Sequence, residues 1–255
     1  MGKCNMMLEK QIRILIEQYE KEYIDFMQIA NLPSYELELF ELNLSEINTT
    51  GFGSFAQAIY IPKTDEHILR VSSNAELMKY VLFHEFTHIL DTEMYAKKDS
   101  SKCIYLSGYT EYHASQVELM VLLGENNIRP NKFTFSLDSE IFHKKTVKDY
   151  LLQKHQLFVD MMNGKAVTMN AEKLITTLGV LYNYWGLCSV CKMYGQNYIE
   201  QIDNTPIIKE FPERMFFVAD TFMEGWFDKK KVEQSFGLYS NIPFRSASFY
   251  PGNGI

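Results

Sequence analysis

The sequence predicts an α+β fold, with a small sheet beside one central helix and a mostly helical second half. Two β-prone runs at 57–61 and 68–71 flank a polar connector and indicate a hairpin. Apolar residues at three- and four-residue steps predict helices at 139–163, 170–195 and 206–227. We expect two regions: a core at 1–135 and a helical C-terminal region at 136–255 that packs on the same core.

The first half of the chain carries the predicted strands between helices, and the helix after the hairpin has the clearest start. Ser73 can cap the backbone N–H of Glu76, whose carboxylate can reach back to Ser73, as in a capping box. Leucines that partly alternate with acids at 37–44 indicate a strand or a short helix. The predicted helices of this half cover residues 6–30, 74–94 and about 110–124.

Charge and composition narrow the range of partners. The 255 residues carry a formal net charge of −7 and no dense block of Lys and Arg, so we expect no nucleic-acid partner. The first residues lack the apolar core of a signal peptide, and no uncharged stretch approaches the length of a bilayer span. We therefore expect a cytoplasmic protein without membrane contact.

Four cysteines are too few for a disulfide framework, so free thiols are expected. Cys188 and Cys191 form a CxxC pair, but no second pair accompanies them as a zinc knuckle requires. They fall inside a predicted helix, so we interpret them as structural thiols. A thiol-dependent sensor is the weaker alternative.

The motif that carries chemistry is His84-Glu85-Phe86-Thr87-His88, an HExxH pattern. Residues four apart on an α-helix lie on one face, so both imidazoles can reach one Zn²⁺ at about 2.0–2.1 Å. Glu85 follows about 100° around the helix, where it can accept a proton from the attacking water. Because the motif lies within the predicted helix at 74–94, we favour a metal site over two core histidines.

A catalytic zinc needs a third protein ligand and an open position. Asp91 and Met94 stand where the long HExxHxxGxxH signature needs Gly and His, so the third ligand must come from elsewhere. Glu111 is the first candidate, because the 23 positions after His88 allow a second helix to return beside the first. We expect Glu111 in the first turn of that helix.

Two other residues compete with Glu111 as the third ligand. Glu118 lies two turns along the same helix face and offers a carboxylate, and His113 offers a nitrogen. A peptidase also needs a donor for the oxyanion of its transition state. Tyr109, Tyr112 and His113 lie near Glu111, and the sequence does not choose among them.

The order of elements around the motif resembles the ImmA/IrrE-type zincin family. The matching residues are His84-Glu85-Phe-Thr-His88 and Glu111-Tyr-His-Ala114, and the resemblance covers roughly residues 6–130. It implies a zincin-like core, an intracellular protein and ligands of the gluzincin type. Several members of the family cut or oppose a helix-turn-helix repressor, so the resemblance implies a regulatory, repressor-like substrate.

These observations together predict a zinc-dependent metallopeptidase that acts on a protein or peptide. Zinc would polarise the scissile carbonyl, and Glu85 would pass a proton from water to the leaving amine. The alternative is a non-catalytic, metal-containing regulatory module whose helical half binds a protein partner. Four protein ligands around the metal would favour the module, and an open fourth position would favour the enzyme.

Overall fold

The computed structural model describes residues 2–42, 55–74, 76–163, 171–199, 230, 232 and 233. Helices and two small sheets make up this part of the chain, which confirms the predicted α+β class. The helix predicted at 206–227 lies outside the described residues.

The chain forms two compact units that share one helix. One unit consists of Met1–Asp99 and Val117–Asn131, and the other consists of Ser100–Gln116 and Lys132–Ile255. The division between the units falls within the helix at Ser100–Leu122. The regions predicted at 1–135 and 136–255 stay a prediction.

The first unit contains a three-stranded sheet. In the sequence, one helix precedes its strands and another follows them. The central strand β3 pairs in parallel with β1 and antiparallel with β2, which confirms the predicted hairpin. Among the described residues, β2 is therefore an edge strand. The segment predicted as a strand or short helix is a strand. The elements are α1 (Gly2–Met27), β1 (Glu36–Phe40), β2 (Ala56–Ile61), β3 (Glu66–Ser72) and α2 (Lys79–Tyr95).

Aromatic side chains of α1 pack against the back of α2. The ring of Tyr23 lies 5.2 Å from that of Phe83 and 5.4 Å from that of Phe86, measured between centroids. The Tyr23 hydroxyl donates to Oγ1 of Thr87 at 3.1 Å. Each large apolar side chain buried in this way contributes about 1.5–3 kcal/mol to stability. This packing fixes which face of α2 is turned away from the core.

The predicted capping box at Ser73 is wrong, because the polar residues there bind to β1 instead. Ser73 Oγ donates to the carbonyl of Phe40 at 3.1 Å. The Asn74 side chain accepts from the N–H of Leu42 at 2.8 Å and donates to its carbonyl at 3.0 Å. Since these groups hold the ends of two strands together, α2 begins at Lys79 and not at 74, and its N-cap residue makes no side-chain hydrogen bond.

The described part of the second unit is mostly helical, and its elements differ from prediction mainly at helix starts. The helix expected at 139 begins at Val147, after a small hairpin. Thr146 and Asp149 form the capping interaction there, with Asp149 N donating to Thr146 Oγ1 at 3.2 Å and Thr146 N donating to Asp149 Oδ2 at 2.9 Å. The elements are α3 (Ser100–Leu122), β4 (Glu140–Phe142), β5 (Lys145–Thr146), α4 (Val147–Asn163) and α5 (Ala171–Tyr194).

The helix α3 begins ten residues earlier than predicted, at Ser100 and not at Thr110. Its predicted end is confirmed, since Gly124 lies two residues after Leu122, the last helical residue, and has a φ of +83°, a conformation that glycine adopts without strain. No helix in the described part of the chain is both long and apolar enough to cross a lipid bilayer.

Candidate metal centre

The HExxH motif lies in the middle of α2, as the sequence predicts. The rings of His84 and His88 are 4.8 Å apart between centroids, and both side chains are half-buried. Phe83, Phe86 and Thr87, which alternate with them in the sequence, are completely buried. The helix therefore buries one face and keeps its two imidazoles together on another.

Glu111 joins the two histidines in the structure. His84, His88 and Glu111 each offer one ligand atom, and these atoms lie within 4.8 Å of one another. A tetrahedral zinc with bonds of about 2.1 Å holds its ligand atoms about 3.4 Å apart, so small side-chain shifts let the three bind one ion. Two imidazoles and a carboxylate form a donor set that zinc accepts in catalytic sites.

Glu111 is the twelfth residue of α3, and the expectation that it lies in the first turn of its helix is wrong. The error follows from the late helix start predicted at Thr110. A first-turn acid interacts favourably with the helix dipole whatever its function, but that effect fades beyond the first turn. The helix dipole therefore does not explain the carboxylate at this position.

Glu118 contacts the imidazole of His84. Its Oε2 atom lies 2.9 Å from Nδ1 of His84, and its side chain is only 6% exposed. With Nδ1 engaged in this way, Nε2 is the ring nitrogen that would bind the metal. A carboxylate on the far nitrogen orients a histidine ligand and raises its basicity. Glu118, predicted as an alternative ligand, lies beside a ligand and outside the three-residue group.

The catalytic base predicted at Glu85 is held by the edge strand of the sheet. The backbone N–H of Ala58 in β2 donates to Oε2 of Glu85 at 2.7 Å. This N–H points away from β3, so the contact uses a group that the sheet itself does not need. A backbone donor leaves no side-chain pattern in a sequence, and sequence reasoning missed it for that reason.

The predicted oxyanion donors lie on other faces of α3 than Glu111. Tyr109 and His113 stand two residues to either side of Glu111, about 200° around the helix, and their rings are 5.6 Å apart. Tyr112 lies about 100° from Glu111. All three side chains are buried. The structure therefore does not bring them to the ligand face of α3, and their role remains a prediction.

Tyr80 is a residue near the site that the sequence reasoning passed over. It lies one turn before His84 on α2, so Tyr80, His84 and His88 form a stripe at four-residue spacing. Burial raises the pKa of the Tyr80 hydroxyl, and the negative charge of Glu118 raises it further. Tyr80 therefore keeps its proton at neutral pH and can act as a hydrogen-bond donor.

The CxxC pair lies within α5, and both thiols are buried and reduced. Burial raises the pKa of the Cys191 thiol, and the neighbouring Cys188 adds to the effect. Because the thiolate is the reactive form, these conditions oppose a redox role at neutral pH.

Comparisons of the chain with protein-family models, with curated proteins and with solved structures gave no match. The functional interpretation of the site rests on the geometry of its own residues.

Proposed function

We propose that this protein is a zinc-dependent metallopeptidase. The observation that carries the proposal is the His84, His88 and Glu111 group, with Glu85 between the two histidines on the same helix. In the described part of the chain the group has three members, which leaves a fourth position for water or substrate. This supports an enzyme over a structural site with four protein ligands.

Each polar residue of the centre has a distinct part in the proposed reaction. When bound, zinc supplies a Lewis acid that polarises the scissile carbonyl and lowers the pKa of water. Glu85 takes a proton from the attacking water and delivers it to the leaving amine. The Ala58 N–H donates to Oε2 of Glu85 and fixes the orientation of its carboxylate. Glu118 holds the His84 ring in its ligating orientation.

The edge strand β2 supports a peptide substrate. Alternate residues of β2 direct their backbone N–H and C=O groups away from β3, and at Ala58 the outward N–H is already bonded to Glu85. An extended segment of another chain can pair with such an edge as an added strand. The strand meets the catalytic base at Ala58, so a bound peptide would pass the site. The resemblance to ImmA/IrrE-type proteins points to a regulatory, repressor-like protein as the substrate.

The first test separates metal binding from turnover. Zinc content is measured by elemental analysis in protein purified without added metal, and hydrolysis is followed with a library of quenched fluorescent peptides. We expect Glu85→Gln to keep its zinc and to lose about 10²–10⁴-fold in kcat, because it removes only the base. We expect His88→Ala to lose both the zinc and the activity.

Two results would contradict the proposal. Wild-type protein that neither contains zinc nor takes it up on titration would remove the metal centre. Full activity in Glu85→Gln would remove the assigned base. Zinc that stays bound in an inactive wild type, across the whole peptide library, would favour the regulatory module.

A further inference from the structure

The Glu111 side chain packs against α5, in the C-terminal half of the chain, at a position occupied by Gly179. A β-carbon placed on Gly179 would lie 3.8 Å from each of Cγ, Cδ and Oε1 of Glu111. That distance is an ordinary van der Waals contact, so the carboxylate lies directly against the α5 backbone. A side chain at position 179 that extends beyond its β-carbon towards Glu111 would meet the carboxylate.

A second glycine brings α5 and α3 into backbone contact. Gly186 lies seven residues after Gly179, two turns along the same face of α5. A β-carbon on Gly186 would lie only 2.2 Å from the carbonyl oxygen of Tyr112 and 3.0 Å from Cβ of Ser115. No other residue type fits there without a backbone shift, so glycine sets the distance between the helices.

Hydrogen bonds fix the rotation of α3 against α5. Ser115, which lies one helical turn beyond Glu111, donates from its Oγ to Oδ1 of Asn183. Gln116 Nε2 donates to Oγ of Ser189 at 2.7 Å, and this hydroxyl donates in turn to the carbonyl of Gly186 at 2.6 Å. These contacts prevent α3 from turning about its axis, which would move Glu111 to another face.

We propose that Gly179 is a positioning residue for Glu111, so that α5 forms the wall against which the metal-binding carboxylate is held. This assignment rests on the proposed metal function. The family resemblance covers roughly residues 6–130 and does not explain the C-terminal half. The proposal assigns one helix of that half, α5, to the support of the metal centre.

The test compares two substitutions at the same glycine in the full chain. Gly179→Ala adds a β-carbon that fits at 3.8 Å, and zinc affinity should stay within about threefold of wild type. Gly179→Val adds methyl groups one bond further out, and we expect zinc affinity to fall about 10–100-fold, as it does when the support of a ligand is disturbed. Affinity is measured by competition with a chromophoric chelator. The visible absorption of bound Co²⁺ should change in the valine variant only.

A double-mutant cycle separates positioning from a general loss of structure. In a Glu111→Ala background, Gly179→Val should weaken zinc binding no further, because the side chain that it displaces is gone. If the valine variant does not fold, Gly179→Ser, which adds one atom beyond the β-carbon, takes its place with a smaller loss expected.

The outcomes distinguish this inference from the proposed function. Wild-type zinc affinity in both the valine and the serine variant would overturn the role of Gly179 and leave the metallopeptidase proposal intact. The role of Gly179 is also overturned if Gly179→Val weakens zinc binding equally with and without Glu111. Wild-type protein that binds no zinc would overturn both.

Discussion

Two glutamates seven residues apart on α3 have different positions at the candidate centre. Glu111 joins the ligand group itself, whereas Glu118 lies 2.9 Å from the far ring nitrogen of His84. The same residue type on the same helix face therefore supplies a ligand in one case and the orientation of a ligand in the other. Their substitutions should differ in effect for this reason.

We predict that Glu118→Gln weakens zinc binding about 10–100-fold, because the amide still accepts a hydrogen bond but no longer supplies a charge to the imidazole. Glu111→Ala removes a ligand and should weaken binding more. Zinc titration of both variants against a chelator measures the difference. A larger loss in Glu118→Gln than in Glu111→Ala would reverse the two roles.

At the residue scale, the sequence predicted what helical spacing alone can define. His84, Glu85 and His88 belong to one helix, so their relation needs no knowledge of the rest of the fold. The partners of these residues come from other elements. Contact between Ala58 and Glu85 depends on where an edge strand lies, and contact between Glu118 and His84 depends on the rotation of a second helix.

At the element scale, a polar cluster connects the β2–β3 turn to the C-terminal end of α2. The Tyr60 hydroxyl donates to Oδ1 of Asp65 at 2.8 Å and accepts from the N–H of Lys98 at 2.7 Å. The Tyr60 ring lies 4.6 Å from that of His67, whose Nε2 is 3.5 Å from Oε2 of Glu93. The cluster holds β2, whose Ala58 contacts Glu85, against α2, which carries Glu85.

His67 makes this connection sensitive to pH. Burial lowers the pKa of its imidazole in the folded chain, while Glu93 and Asp65 oppose the shift and Lys97 adds to it. The unfolded chain, with a His pKa of about 6.5, binds the proton at higher pH than the folded chain does. The stability that neutral His67 contributes is therefore complete above about pH 6.5 and is lost as the pH falls through the folded-state pKa.

We predict that His67→Phe, which keeps an aromatic ring beside Tyr60, reduces this loss. Urea unfolding of metal-free protein at about pH 7.5 and about pH 5.5 gives the free energy of unfolding of both proteins. The decrease towards acid should be smaller in the variant. The other histidines are the same in both proteins, so their contribution cancels in the comparison. An equal decrease in the two would contradict the role of His67.

Element types were predictable from periodicity, whereas helix starts were not. Ser73 and Asn74 had the composition of a helix cap, but their side chains bind backbone groups of Phe40 and Leu42, more than thirty positions away. A polar side chain that can cap a helix can equally bind the end of a strand. The choice depends on tertiary neighbours, so local patterns fail at such positions.

At the scale of the whole molecule, the α+β class followed from the order of strand and helix patterns along the chain. The division into two compact units falls inside the continuous helix α3. The residues of the candidate centre and the residues that contact them come from separate parts of the sequence, from Ala58 to Glu118. Such a centre requires the native fold, since the unfolded chain does not hold its ligands together.

Zinc should therefore stabilise the folded protein. A ligand that binds only the native state adds about 4 kcal/mol when its free concentration is about 1,000 times its Kd. For a chain of this size that corresponds to a rise of about 8–16 °C in Tm. Thermal unfolding followed by circular dichroism, with zinc and then with EDTA, measures this rise and its reversal. His88→Ala, which loses a ligand, should show no comparable shift, and an equal shift in that variant would mean that zinc stabilises the chain from another site.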